Sequence, residues 1–229
     1  AYAASNETYP ITFQNNPCIS STNNLTIRPI AGTATPIVFT TNNTTATFNF
    51  NGGSNVIIDG RAGGTGTTSM ITVANSNLGA TPSIQFINDA VSNTIQYVTV
   101  QSVNNSATSG TIFFGSTTGF SGNDNNTIDN CSIADGATTP VNAIYSAGLS
   151  AAIDNSGNNI TNCNISNYYN ATVSSAGILL SATGNTGWVI SNNRFFQTAT
   201  RLYTSSLPLL SAITISGGSG YAITGNTIG

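Results

Sequence analysis

The sequence contains no lysine and no histidine, and charged residues make up only 5% of its 229 positions. Four basic and seven acidic residues leave a formal net charge of −3, so there is no basic surface to attract nucleic acid or anionic lipid. The absence of histidine also excludes every catalytic triad in which a histidine acts as the general base. Solubility must therefore come from Asn, Thr, Ser and Gly side chains.

Long apolar runs and helical patterns are missing as well. No run approaches the 18 or more apolar residues of a transmembrane helix, so we expect no membrane insertion. No segment keeps apolar residues three and four positions apart, as an amphipathic helix would. Hydrophobic residues still reach 39%, which together with the low charge argues against a disordered chain.

The sequence is organised around a unit that returns at a step of roughly 30 to 37 residues. Its clearest copy is residues 128–133 (IDNCSI), in which two apolar residues enclose a short polar break. Self-similarity at a period of about 20 to 50 residues is typical of solenoids, propellers and repeat arrays. The first isoleucine of each copy is Ile27, Ile58, Ile95, Ile128, Ile160, Ile190 or Ile223.

The polar break of each copy predicts a bend between two strands. Its third position is most often Gly or Asn, the residues that best tolerate the left-handed backbone conformation. A strand would enter, this residue would turn the chain, and a second strand would leave at an angle. The residues predicted to make this turn are Gly60, Asn130, Asn162, Asn192 and Gly225.

The fourth position of the unit predicts a column of side chains stacked inside the bend. Asn side chains can form a hydrogen-bonded ladder there, and a small thiol can replace one of them. Cys131 and Cys163 fall in neighbouring copies, and same-facing thiols on parallel strands seldom reach a disulfide dihedral. We therefore expect two stacked free thiols. The fourth positions are Arg61, Val98, Cys131, Cys163, Asn193 and Asn226.

These features predict an all-β fold, a single right-handed parallel β-helix of about seven rungs over residues 1–229. A β-sandwich is the alternative for so many short strands, but a sandwich does not repeat its sequence at one period. The last copy, residues 223–229, is a complete bend without a polar cap. We therefore expect a piece of a longer protein, or a chain whose ends stack on a neighbour.

The pattern N-x-I-x-N-C/N-x-I, as in residues 126–133, resembles the parallel β-helix repeat of the pectate-lyase-like superfamily. The low charge and the Asn-, Thr- and Ser-rich composition, with segments such as residues 55–60 (NVIIDG), are similar to those of large secreted surface proteins of type IX-secreting bacteria. The resemblance implies a secreted or cell-surface location, with a polysaccharide or cell-surface glycan as the partner. It does not imply one activity, because this fold hosts unrelated functions.

The enzymes of that superfamily provide a test for catalysis. Their sites combine carboxylates with Arg and Lys, or Asp residues with a His and an Arg-x-Lys element, and both patterns are broken here. Asp124 and Asp129 are the only plausible carboxylate pair for a glycosidase, with Asp135 next. The simpler interpretation is that these aspartates cap turns. Asn123, Asp124 and Asn125 could supply oxygens to calcium, but they match no known calcium loop, so we assign no metal or cofactor.

The first strand of each rung predicts a binding face. Because side chains alternate along a strand, the middle residue of each triplet faces outward while its neighbours fill the core. The three central members, Phe113, Tyr145 and Leu179, are apolar and fall on consecutive rungs. Contiguous apolar surface marks interaction sites, and aromatic rings offer flat faces for a sugar. The outward column is Thr12, Asn49, Gln85, Phe113, Tyr145, Leu179 and Thr214.

An alternative for this face is that long loops fold back and cover it. Those loops carry Tyr168, Tyr169, Leu202, Tyr203, Leu207 and Leu209.

Three functions stay open from the sequence. The first is a non-catalytic adhesion or glycan-binding module, and the second is a polysaccharide lyase or glycoside hydrolase. The third is ice binding, which Thr-x-Thr pieces favour only if they lie in register on one flat face. Those pieces, at residues 33–35, 45–47, 65–67 and 198–200, do not recur at the rung period.

Overall fold

The computed structural model describes residues 6–115 and 119–229, which form a parallel β-solenoid with seven turns, called rungs below. Each rung places one strand in each of three seven-stranded parallel sheets, and neighbours within a sheet come from consecutive rungs. The predicted all-β parallel β-helix of about seven rungs is confirmed.

The strands of each sheet follow the order of the rungs. The first sheet contains β1 (Ile11–Gln14), β4 (Phe48–Asn51), β7 (Ile84–Ile87), β10 (Ile112–Phe114), β13 (Asn142–Ser146), β17 (Ser175–Leu180) and β21 (Leu210–Ile215). The second sheet contains β2 (Leu25–Ile27), β5 (Val56–Asp59), β8 (Thr94–Gln96), β11 (Thr127–Asp129), β15 (Asn159–Thr161), β19 (Val189–Ser191) and β22 (Ala222–Thr224). The third sheet contains β3 (Ile37–Thr41), β6 (Ile71–Asn75), β9 (Val98–Ser102), β12 (Ser132–Asp135), β16 (Asn164–Ser166), β20 (Arg194–Phe196) and β23 (Thr227–Ile228). A small fourth sheet pairs β14 (Asn155–Ser156) with β18 (Asn185–Thr186), and a 3-10 turn covers Ala62–Gly64.

The seven isoleucines that mark the sequence repeat lie side by side on the second sheet. Ile128 pairs in register with Ile95 on one side and with Ile160 on the other. The same register continues outward to Ile27 and to Ile223. The five central isoleucines are fully buried. The period in the sequence is therefore the physical height of one rung.

Aromatic rings stack inside the solenoid beneath the first sheet. The ring centroids of Phe50 and Phe86 are 4.8 Å apart, and those of Phe86 and Phe114 are 4.6 Å apart. Trp188 packs edge-on against Phe114 at 5.0 Å, and its indole N–H donates to the Asn155 carbonyl at 2.6 Å. Because such pairs contribute about 0.5–1.5 kcal/mol each beyond their buried area, this stack stabilises rungs 2 to 6.

Four of the five residues predicted to make a left-handed turn at the bend do so. Gly60 is the exception, and its prediction is wrong because rung 2 loops through residues 61–70 before it reaches the third sheet. Gly60 is needed for space, since a Cβ there would lie 1.8 Å from the Tyr97 carbonyl oxygen. Tyr97 makes the left-handed turn of the next rung, with φ of 52°. The later turns have φ of 51° at Asn130, 55° at Asn162, 57° at Asn192 and 65° at Gly225.

The predicted ladder inside the bend is present in the last four rungs. The backbone N–H and the Nδ2 of Asn193 donate to Asn226 Oδ1 at 2.9 and 3.1 Å. The Cys163 N–H donates to Asn193 Oδ1 at 2.9 Å, and the Cys131 N–H donates to Cys163 Sγ at 3.4 Å. Both cysteines are buried and free, as predicted. Burial, with Cys131 as neighbour, raises the pKa of the Cys163 thiol well above its ordinary value.

The first two rungs depart from the repeat at this same corner. Arg61 is not stacked inside the bend, so its predicted placement is wrong: its guanidinium lies 4.4 Å from the Tyr97 ring and pairs with Asp59 at 2.8 Å. Ile30, in the weakest copy of the repeat, is 81% exposed. The physical reason is that loops of residues 28–36 and 60–70 replace the tight bend.

A second amide ladder, which was not predicted from the sequence, lies just before the strands of the second sheet. The backbone N–H and Nδ2 of Asn93 donate to Asn126 Oδ1 at 3.0 and 2.9 Å. The same two groups of Asn126 donate to Asn158 Oδ1 at 2.9 and 3.1 Å. All three side chains are fully buried. The signal was present in the sequence, because each Asn lies two residues before a marker isoleucine.

The two ends of the solenoid each leave one side of a rung unpaired. At rung 1 an apolar cavity of about 1060 Å³ opens, and its lining includes Phe13, Ile27 and Phe39. At rung 7 the inward positions Ile223 and Ile228 are 44% and 72% exposed. The apolar core is therefore uncovered at both ends of the described structure.

Candidate binding face

The outward residues of the first sheet form one continuous column in register. Phe113 lies between Gln85 and Tyr145, and Tyr145 lies between Phe113 and Leu179. The column continues to Thr12 at rung 1 and to Thr214 at rung 7. No member carries a charge. The strand alternation that predicts these residues on the outer face is thus present in the strand register.

The centre of this column is apolar but only partly open. The ring centroids of Phe113 and Tyr145 are 5.8 Å apart and their planes differ by 26°. Phe113 and Leu179 are half-buried, whereas Tyr145 is only 7% exposed. The face therefore presents Phe113 and Leu179, while Tyr145 fills the space between them and offers little of its own ring.

Two glycines account for the close packing around these rings. A Cβ at Gly110 would lie 3.2 Å from the Tyr145 Cβ and 2.9 Å from the Tyr145 nitrogen. A Cβ at Gly115 would lie 3.1 Å from the Phe113 ring and 2.8 Å from Ile87. The bare backbone therefore packs directly against both aromatic residues. This contact is not predictable from the sequence, because glycines beside a strand are also ordinary turn residues.

The aromatic and leucine side chains of the long loops near rungs 5 to 7 have different surroundings. Tyr168 turns inward to the core, and burial raises its pKa to about 12. The rings of Tyr169 and Tyr203 pack on each other with centroids 5.3 Å apart. The leucines point to solvent: Leu202 is 77%, Leu207 85% and Leu209 65% exposed.

Asp124 lies in the turn between β10 and β11 and accepts hydrogen bonds from a neighbouring residue. Its Oδ1 accepts hydrogen bonds from the Ser156 N–H at 2.7 Å and the Ser156 hydroxyl at 2.9 Å. Burial raises the pKa of Asp124 above its ordinary value, and the nearby carboxylates of Asp154 and Asp89 add to the rise. Asp89 in turn accepts three backbone N–H groups from residues 120–122 at 2.7 to 3.1 Å. Both aspartates therefore cap turns.

The other two candidate carboxylates lie on different sheets. Asp129 ends β11 on the second sheet, and its Oδ1 accepts hydrogen bonds from Thr161 and Asn162, both at 2.7 Å. Asp135 ends β12 on the third sheet and accepts a hydrogen bond from Asn167 at 2.9 Å. The three predicted aspartates thus lie in a turn and on two separate sheets. Each accepts hydrogen bonds from donors close to it.

The two asparagines considered for calcium have local structural roles. Asn123 is fully buried, and its Nδ2 donates inward to the Gly115 carbonyl and to Asn155 Oδ1, both at 2.8 Å. Asn125 takes the left-handed conformation with φ of 55°. Within residues 6–115 and 119–229, no group of three or more His, Cys, Asp or Glu side chains is arranged to hold a metal ion.

The arginines are engaged in local packing. Burial alone would raise the pKa of Asp59, but hydrogen bonds from Arg61 and Gln96 lower it below its ordinary value. Arg194 is exposed on the third sheet, and its guanidinium lies 4.6 Å from the Phe196 ring. These cations support neighbouring side chains on the second and third sheets, away from the candidate face.

The four Thr-x-Thr pieces lie outside the three large sheets. Residues 33–35 lie between β2 and β3, and residues 45–47 between β3 and β4. Residues 65–67 lie between β5 and β6, and residues 198–200 between β20 and β21. The threonine pairs therefore do not build a flat, regular face on a sheet.

No protein-family model, curated protein or solved structure matches the chain. In the part of the chain that the structure describes, no helix has the length and apolar character needed to cross a membrane.

Proposed function

We propose that the chain is a non-catalytic extracellular module, secreted or held at the cell surface, that binds a polysaccharide or a cell-surface glycan. The observation that supports this most is the uncharged outward column of the first sheet, with Phe113 and Leu179 at its centre. We place the module among adhesin-like surface proteins with a pectate-lyase-like β-helix, in line with the resemblance of its repeat.

The column has the form that an extended polymer requires. Strands of neighbouring rungs are about 4.8 Å apart, so a chain lying across them meets one outward residue per rung. Phe113 offers an apolar surface to the face of a sugar ring, and the amide of Gln85 and the hydroxyl of Thr214 offer hydrogen bonds. Because the residues lie on rigid strands, binding would cost little conformational entropy in the protein.

The position of the carboxylates supports binding over cleavage. Glycoside hydrolysis needs two carboxyl groups facing one bond, about 5 to 10 Å apart. The column carries no carboxylate, and Asp124, Asp129 and Asp135 accept hydrogen bonds from neighbouring side chains or backbone elsewhere on the solenoid. We therefore assign the uncharged face to recognition.

The proposal extends to the two ends of the solenoid. Rungs 1 and 7 leave strand edges unpaired and core side chains uncovered, and such edges are ready to pair with another chain. We propose that the ends stack on neighbouring domains.

A glycan-array screen of the purified chain, with reducing-end and unsaturated-product assays on every bound polysaccharide, tests the proposal. We expect specific binding to at least one glycan and no product after long incubation. Release of reducing ends or of unsaturated products would contradict the proposal and assign the chain as a hydrolase or a lyase, respectively. Absence of binding to every polysaccharide and every cell surface tested would overturn the proposal.

A further inference from the structure

The two open apolar side chains of the outward column are separated by two rungs. Phe113 pairs in register with Tyr145, and Tyr145 pairs with Leu179, so Phe113 and Leu179 lie about 10 Å apart, twice the spacing of parallel strands. Tyr145 between them is only 7% exposed and offers little surface of its own. A ligand that runs along the solenoid therefore meets one apolar contact, then a gap, and then a second apolar contact.

The loops that follow the first sheet in rungs 3 to 5 carry a stripe of negative charge. Asp89 follows β7, Asp124 follows β10 and Asp154 follows β13, so the three carboxylates belong to consecutive rungs. Each is bound to the loop of the next rung: Asp89 accepts the N–H of Gly122, Asp124 that of Ser156, and Asp154 the hydroxyl of the residue at position 186. Burial raises the pKa of Asp124, and the charges of Asp154 and Asp89 raise it further, so the three groups share one negative field.

No cation of the described chain offsets this field. The sequence has no lysine or histidine, and none of its four arginines lies in a strand of the first sheet or in a loop that follows one. Three lie on or next to the second and third sheets: Arg28, Arg61 and Arg194. The fourth, Arg201, precedes β21 and is held by Gln197 Oε1 at 2.9 Å and Asn167 Oδ1 at 3.0 Å. An anionic chain on the outward column would meet no counter-charge and would lie on the same side as three carboxylates, which disfavours it.

We infer that this face takes a neutral, ribbon-shaped polysaccharide, a β-linked chain of the cellulose or mannan type, and rejects polyuronates and sulfated glycans. A sugar unit in such a chain is about as long as one rung is high, and each unit is turned over relative to the last. The same ring face therefore returns at every second sugar, which matches the two-rung separation of Phe113 and Leu179.

Polar groups without charge lie on either side of the two apolar contacts. Gln85 is one rung before Phe113, and Thr214 is one rung after Leu179. An amide and a hydroxyl can exchange hydrogen bonds with sugar hydroxyls without requiring a charged ligand. The inference rests on the proposed glycan binding and names the class of glycan for the same face.

Four hexasaccharides, titrated into the purified chain by calorimetry, separate ligand shape from ligand charge. Cellohexaose and maltohexaose contain the same sugar but differ in linkage, so one is a ribbon and the other a coil. Mannohexaose and the β-linked mannuronate hexamer are both extended but differ in charge. Each titration is run at low and at high salt, because salt screens interactions between exposed charges and leaves neutral contacts nearly unchanged.

We expect cellohexaose or mannohexaose to bind about tenfold or more tightly than maltohexaose and the mannuronate hexamer, with little dependence on salt. Equal or tighter binding of the mannuronate hexamer would overturn the neutral ligand class, and equal binding of maltohexaose would overturn the ribbon shape. If the chain binds another glycan of the array but neither neutral ribbon, the inference fails while the proposed glycan binding stands. Absence of binding to any glycan would overturn both.

A change of charge on the column tests the same inference from the protein side. Gln85→Lys places a cation on the first sheet, and Thr127→Lys places one on the outer face of the second sheet as the matched control. We expect Gln85→Lys to bind the mannuronate hexamer about tenfold or more tightly than the wild type at low salt, with the gain lost at high salt. The control should show no gain. An equal gain in both variants, or none in Gln85→Lys, would contradict the account of charge at this face.

Discussion

Phe113 and Phe114 are neighbours in sequence, yet the two faces of the first sheet give them opposite environments. Phe114 is fully buried, stacks 4.6 Å from Phe86 and meets Trp188 edge-on at 5.0 Å. Phe113 is half-buried on the outside, with its ring centroid 5.8 Å from that of Tyr145. The inward face is a stack that stabilises the rungs, and the outward face is a surface that can meet a ligand.

The comparison shows that residue type alone does not tell whether a side chain in this fold stabilises the protein or is available to bind a ligand. Strand alternation does, because it sends successive residues to opposite faces. A change at an inward position should therefore lower the free energy of unfolding. The same change one residue away should act mainly on binding.

The largest effect is expected from Phe114→Ala. Removing a buried ring costs about 3–5 kcal/mol, because the lost transfer free energy is joined by a cavity between neighbouring rungs. Chemical denaturation followed by Trp188 fluorescence measures this loss. Phe113→Ala is the matched control and should cost only about 1 kcal/mol, since its side chain is half-buried. Equal costs for the two variants would break the proposed division between the faces.

A smaller loss of unfolding free energy is expected from Asn126→Leu, in the amide ladder just before the second sheet. The variant leaves the backbone N–H and one of the two Nδ2 hydrogens of Asn93 without their acceptor, while the other Nδ2 hydrogen keeps its bond to the Gly53 carbonyl. Each unpaired buried group costs about 1–3 kcal/mol. We expect a total loss on the order of 3 kcal/mol in the same denaturation measurement. The outward Asn159→Thr is the control and should be nearly neutral. If Asn126→Leu were as stable as the parent chain, the ladder would not be a stabilising element.

A pH titration examines the thiol section of the bend ladder. The pKa of Cys163 is raised in the folded state, so its contribution to stability is complete below the unfolded thiol value of about 8.5. Above that pH the free energy of unfolding should fall by about 1.4 kcal/mol per pH unit, because the unfolded chain loses a proton that the folded chain keeps. Tyr168, with a folded pKa of about 12, adds a loss of the same sign only above about pH 10.

Cys163→Ser is the control for this pH dependence. The hydroxyl keeps a small hydrogen-bonding group in the ladder and does not titrate in the window from about 8.5 to 10. Its stability should therefore decline less steeply there than that of the parent chain. The same slope in both proteins would show that the loss has another origin.

Much of the solenoid could be predicted from the sequence, because each rung repeats the same local chemistry. Ile128 and its partners share one spacing and one face, so the period alone predicts their register. Asn130 predicts the bend, since Asn tolerates the left-handed conformation. Cys131 and Cys163 predict a stacked column because they fall in consecutive copies. These predictions depend on local sequence, and the structure confirms them.

Predictions failed or fell short where a loop interrupts the repeat or where contacts come from distant parts of the chain. Arg61 follows the repeat in sequence, but a long loop moves it outward to Asp59 and Tyr97. The burial of Tyr145 depends on the backbone at Gly110, which no repeat pattern indicates. The outward direction of Phe113 and Leu179 was predictable from alternation. How much of each side chain the surrounding loops leave open was not.

The pair of substitutions that bears most directly on function is Phe113→Ala combined with Leu179→Ala. The measurement is the affinity of the wild type and of this double variant for the best glycan of the array, with the outward Thr161→Ala on the second sheet as control. The account predicts a folded double variant whose affinity falls about tenfold or more, which corresponds to about 1.4 kcal/mol, and an unchanged control. Unchanged affinity in a folded double variant would contradict the assignment of the glycan-binding face to the first sheet.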